Sequence, residues 1–157
     1  MSSARPSPDC KLREEQLAMQ ALLELMHEEQ QQLIEADIDA LSVLTPRKNV
    51  LIGQLSAMAG LRHEHLAACG FPASEAGMEA WLAQAGDEPA LSLWLSLLDQ
   101  TRRAKELNRV NGVLLNKHMA HTRAALSALS PAAQSSTTYG PSGQTSSAPT
   151  SRRLVVG

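Results

Sequence analysis

Few residues in this chain have the types and spacing that chemistry needs. His63-x-His65 and His118-x-x-His121 are its histidine clusters, and the second spacing brings two rings to one helix face, as a metal ion would require. No third or fourth ligand accompanies either pair, so both read as ordinary helix residues and no metal is expected. His27-Glu28-Glu29 has the composition of acid–base machinery. Neighbouring helix positions splay by about 100°, however, and no nucleophile or glycine-rich phosphate cradle converges on the three. An enzyme is therefore not expected. Arg102-Arg103 with Lys105 and Arg109 is the best nucleic-acid candidate, but Glu106 interrupts it and aromatic residues are missing from it. Asn108 and Asn111 are of another kind. They lie three apart beside the apolar stripe Leu107, Val110, Leu114 and Leu115, where a buried amide can set helix register at some cost in stability.

The elements that carry these residues read as helices throughout. Only Phe71, Trp81, Trp94 and Tyr139 are aromatic, while Ala and Leu dominate an apolar fraction of 43%. Scarce β-branched residues argue against a sheet, so an all-α fold is expected. The spacing predicts an elongated antiparallel bundle or coiled coil of three to four helices, over about 10–44, 46–68, 75–84 and 88–129, within a domain of residues 9–129. Thr45-Pro46 reads as the N-cap and first position of the second helix, with a kinked continuation through Pro46 as the alternative. Cys69-Gly70-Phe71-Pro72 ends that helix, Ser74 caps the third, and Gly86-Asp87-Glu88-Pro89 starts the fourth. A helical hairpin at Asn111-Gly112 is the alternative to one long final helix.

Charge divides the two longest helices. Residues 9–45 carry nine acids against Lys11 and Arg13, whereas residues 100–129 carry six bases against Glu106 alone. Laying one helix on the other would set opposite signs along the seam's flanks, which selects partners more than it stabilises. The overall formal net charge of -2 favours neither nucleic acid nor an anionic membrane. Two cysteines without a CxxC spacing, a charged N-terminus and no long apolar run point to a reduced, cytoplasmic setting without membrane insertion. Residues 1–8 are expected to lack fixed structure. So are residues 130–157, with seven Ser, four Thr, three Pro, three Gly and no acid. Tyr139 and the terminal Arg152-Arg153-Leu154-Val155-Val156 stand out there as docking points.

The stretch Leu25-Met26-x-Glu28-Glu29-x-x-x-Leu33-x-x-x-Asp37-x-x-x-Leu41-x-x-Leu44-x-x-x-Lys48-x-x-Leu51-x-x-x-Leu55 resembles the FlgN family of flagellar export chaperones. Asn108-x-x-Asn111-Gly112-x-Leu114-Leu115 is similar to a second block of that family, and Tyr139-Gly140-Pro141-Ser142-Gly143-Gln144 to its tail motif. The resemblance implies a cytoplasmic chaperone, without nucleotide or metal, for the C-terminal helices of hook-filament junction (hook-associated) proteins. It also implies delivery of these clients to the flagellar type III export gate, with Tyr139 meeting the cytoplasmic domain of the gate's membrane protein. Leu107, Val110, Leu114, Leu115 and Met119 are the expected client-binding residues, because an amphipathic client helix needs anchors at such spacings. The chain is expected as a monomer or weak dimer. A self-associating structural coiled coil and an adaptor of another secretion system are the alternatives.

Overall fold

The computed structural model describes residues 6–130. Its elements are four helices, α1 (Leu12–Glu35), α2 (Ile38–Ala68), α3 (Glu75–Ala85) and α4 (Glu88–Leu129). The backbone divides into a compact unit from Met1 to Met119 and a second from Ala120 to Gly157. In the second unit every described position, 120–130, is exposed. No helix among the described residues is long and apolar enough to cross a membrane. The expectations placed on residues 1–5 and 131–157, the role of Tyr139 included, lie outside the described residues.

In the first unit α1 and α2 run antiparallel: Glu15 meets Arg62 and Glu29 meets Lys48. Between α1 and α4 the numbers rise together, Gln100 donating to Gln20 and Asn111 to Met26 and Glu29, so α4 runs parallel to α1. The main core lies where α1 begins and α2 ends. Leu12, Leu66, Trp94 and Leu97 meet there under Met78, Trp81 and Leu82 of α3. Each large side chain buried in this way contributes about 1.5–3 kcal/mol relative to exposure. A second cluster, Leu22, Leu23 and Met26 with Ala104, continues the packing along α1 and α4. Gly77 has a packing reason, because a Cβ there would stand 1.8 Å from the Pro72 carbonyl oxygen.

The expected helix break at Thr45-Pro46 is corrected: α1 ends at Glu35, and Pro46 lies inside α2. Ala36 takes the left-handed conformation at φ 56°, its N–H reaches the Leu33 carbonyl, and the Asp37 N–H reaches Gln32. Asp37 then caps α2, its side chain accepting from the Ala40 N–H at 3.0 Å. Together these close one helix and open the next within two residues. Pro46 is tolerated because it and Ser42 are both exposed, so the carbonyl that loses its donor is open to water. Thr45 meanwhile donates its hydroxyl to the Leu41 carbonyl. The turn after α2 has the same bond pattern around Gly70, φ 84°, with Phe71 N–H bonded to Leu66 and Gly70 N–H to Ala67.

A non-glycine residue in the left-handed region is strained by about 1–2 kcal/mol. Part of that gain is offset by glycine's greater freedom in the unfolded chain. Ala36→Gly is therefore expected to stabilise the protein by about 0.5–1 kcal/mol, and Gly70→Ala to destabilise it by a similar amount. Denaturant titration of the two variants checks the pair.

The electrostatic pairing also differs from expectation. Glu15 and Glu29 of α1 pair across helices with Arg62 and Lys48 of α2, where charge alone pointed to the basic α4. Arg109 instead pairs with Glu106 of its own helix, and its hydrogen bond holds the Glu106 carboxyl below the ordinary range. Turning helices α1 and α2 back on each other at Ala36 places their side chains closest, which gives those two acids their nearest bases.

Candidate functional site

Three helices meet in a groove of about 250 Å³. From α1 come Glu29 and Leu33, from α2 Leu41, Thr45 and Lys48, and from α4 Asn108, Asn111, Gly112 and Leu115. Residues some eighty positions apart in sequence thereby form one surface. The antiparallel pairing of α1 with α2 and the parallel pairing of α1 with α4 bring them to the same level.

A polar network closes one side. Asn111 is 4% exposed, and its Nδ2 donates to the Met26 carbonyl at 2.9 Å and to Glu29 Oε2 at 2.8 Å. Glu29 Oε1 accepts from Lys48 Nζ. Oδ1 of Asn111 is buried without a partner. One amide thus ties α4 to a backbone carbonyl of α1 and to a carboxylate that also holds α2. Sliding α4 by one residue would leave these groups unpaired. Asn108 is exposed at the groove's edge, and α4 passes through Asn111-Gly112 without a turn.

The other side is apolar and open. Leu115 is 46% and Met119 44% exposed, while Val110 and Leu114 are half-buried. Leu107 packs against the Leu22–Leu23–Met26–Ala104 cluster and so belongs mainly to the protein's interior. Gly112 is the unusual member. A Cβ built on it would meet nothing within 4 Å, although glycine in a helix interior costs about 1 kcal/mol relative to alanine. Packing within the described residues does not require it.

A second polar cluster escaped sequence reading. Arg62 and Glu15 form a bidentate pair with side chains 8% and 3% exposed, and the guanidinium lies 4.9 Å from the centre of the Trp94 ring. Nη1 of Arg62 has no hydrogen-bond partner. Glu15 and Arg62 are 47 positions apart, and each sits in an otherwise apolar stripe, a signal that a search for buried charge could use.

The histidines do not converge. His65 faces the Ser7 carbonyl at 3.2 Å and Cys10 Sγ at 3.5 Å, His63 lines the cavity beside Arg62, and His121 is exposed on α4. Among the described residues no group of three or more His, Cys, Asp and Glu side chains could hold a metal ion. Burial, reinforced by Asp9, pushes the Cys10 thiol up from its ordinary value, the opposite of what an activated nucleophile requires. The groove thus sets a partly exposed apolar strip, Leu115 and Met119, beside the polar network of Asn111, Glu29 and Lys48.

A family model described as FlgN protein matches residues 11–147. That span takes in both halves of the groove and Tyr139. No curated protein and no solved structure matches the chain.

Proposed function

The chain belongs to the FlgN family of flagellar export chaperones, and we propose that its clients are the hook-filament junction (hook-associated) proteins. It holds their C-terminal helices before assembly and delivers them to the cytoplasmic domain of the flagellar export-gate membrane protein. The family is one of chaperones and not of enzymes, so the work to be explained is binding.

Gly112 carries the reading of the groove. A glycine that packing within the described residues does not require, beside exposed Leu115 and Met119, leaves room for close approach by a partner's backbone. Leu115 and Met119 are the accessible client anchors, Val110 and Leu114 form the edge, and Leu107 supports the floor from within. Asn111 contributes by holding α4 in register over α1. An unassembled junction protein would expose sticky terminal helices, and covering their apolar face suppresses premature association. Release at the gate calls for moderate affinity. The setting is the cytoplasm, with no cofactor.

Tyr139, within the span the family model matches, is the gate-docking residue. Tyr139→Ala is expected to leave client binding unchanged while removing most of the client–chaperone complex retained by the immobilised cytoplasmic domain of the gate protein. Equal retention of wild type and variant would contradict this role. Failure of the wild-type complex to bind the gate fragment at all would contradict the delivery step.

A further inference from the structure

A second groove, of about 300 Å³, lies between α3 and α4 within the first unit. Leu82 and Trp94 form its buried floor, Leu91 and Leu95 line the α4 wall at 45% and 56% exposure, and Glu79 and Ala83 line the α3 wall. Glu88 comes three residues before Leu91 and Asp99 four after Leu95, so these four exposed residues share the outward face of α4. On α3, Glu75 and Glu79 fall on the same face as Leu82. The groove is therefore apolar in the middle, with carboxylates along both edges.

The charge of this part of the chain is one-sided. From Cys69 to Gln100 there are five acids, Glu75, Glu79, Asp87, Glu88 and Asp99, and no Lys, Arg or His. Asp87 accepts from the Ala90 N–H at the start of α4. The other four are exposed, and none forms an ion pair with another described residue. Two bases border the groove without offsetting them. Arg62 lies over Trp94 but is buried and already paired with Glu15, and Arg102 stands seven residues beyond Leu95. Exposed leucines over an apolar groove mark an interaction site, and carboxylate edges select a cationic occupant. The chain's own basic stretch, Arg102 to Arg109, does not supply it, because α4 exposes no large apolar side chain between Leu95 and Val113.

We propose that the α3–α4 groove is a second docking site, taken by a basic amphipathic helix of another protein. Leucines on its apolar face lie over Trp94 beside Leu91 and Leu95, and Lys or Arg on its flanks reach Glu79 on one side and Glu88 and Asp99 on the other. From Glu88 to Asp99 the face runs about 17 Å, room for three helical turns. Exposed charge pairs stabilise little, so the carboxylates choose the partner while the apolar contact holds it. Leu95 is about 30 Å along α4 from Leu115 at 1.5 Å per residue, so this site and the Gly112–Leu115 groove can be filled together. The inference does not depend on which client fills that other groove.

Fluorescence anisotropy of a labelled synthetic Leu/Lys amphipathic helix, titrated with the full chain, tests it, with a Leu/Glu helix of the same pattern as control. One-to-one binding of the Leu/Lys helix alone is expected, weakened by about tenfold or more in E79K/E88K and, separately, in L95D. These positions are exposed, so the variants should keep the fold, which circular dichroism verifies. G112L in the other groove and E24K/E28K on α1 are expected to leave binding unchanged. No binding of the Leu/Lys helix, equal binding of the Leu/Glu helix, or indifference to E79K/E88K or to L95D would overturn the proposal. So would a loss confined to G112L or E24K/E28K, which would give the helix to another face. Self-association of the chain in sedimentation velocity that is lost in L95D would overturn it too, and assign the groove to a second copy.

Discussion

Glu15→Ala is expected to lower stability by about 3–5 kcal/mol, because it leaves the Arg62 guanidinium buried without its counter-ion. In the folded protein that guanidinium makes two donor contacts to Glu15 and lies over the Trp94 ring, with Nη1 already unpartnered. The ring attracts a cation by about 1–2 kcal/mol, too little to replace a carboxylate. A fall in Tm of about 10 °C follows for a domain of this size. Glu15→Leu combined with Arg62→Met should recover most of the loss, since an apolar pair of similar volume avoids desolvating two charges. The exposed pair Glu106–Arg109 supplies the contrast, and Glu106→Ala should leave Tm within experimental error. Thermal melts of the four proteins decide it. Equal, small effects of Glu15→Ala and Glu106→Ala would contradict a buried pair.

Gly112→Leu is expected to move stability and function in opposite directions. Leucine is a far better helix former than glycine, and a Cβ at this position meets nothing within 4 Å, so folding should gain about 1 kcal/mol. The same side chain fills the space next to Leu115 that the client helix would occupy. Client affinity should then fall by at least about tenfold, or about 1.4 kcal/mol. A variant that merely damaged the fold would lose both properties, which makes the combination diagnostic. Gly112→Leu with unchanged client affinity would move the client site away from this groove.

How far the fold was legible in the sequence is seen best at its two similar helix ends. Gly70 followed by Phe71-Pro72 announced the end of α2 because glycine is the usual residue for a left-handed cap. The end of α1 has the same hydrogen bonds but an alanine at the left-handed position, and composition carries no mark of that choice. Asp37, which caps α2, stands among other acids in the sequence, while Pro46 nine residues later offers a stronger local signal. The decision was tertiary: reversing the chain at Ala36 pairs Glu29 with Lys48 and Glu15 with Arg62, and both pairs depend on that register.

The candidate site was legible in part. Asn111 stood out as an amide beside an apolar stripe, and it is buried against α1. Its acceptors, the Met26 carbonyl and Glu29, were not deducible, because nothing local reveals which residues lie opposite across 85 and 82 positions. The spacing of Leu107, Val110, Leu114, Leu115 and Met119 presents them as one face. Packing grades it from the interior at Leu107 to the open surface at Leu115 and Met119, a gradient that periodicity alone cannot contain. The charge asymmetry of the long helices is plain in the sequence as well, but Glu29 and Glu15 pair with α2 because the hairpin geometry brings Lys48 and Arg62 nearest.

Calorimetric titration of the full-length chain with a peptide from the C-terminal helix of a hook-filament junction protein tests the client assignment most directly. One-to-one binding at about micromolar affinity, weakened in Gly112→Leu and in Leu115→Asp, is the expected result. Absence of heat and of binding in the folded full-length protein would contradict it.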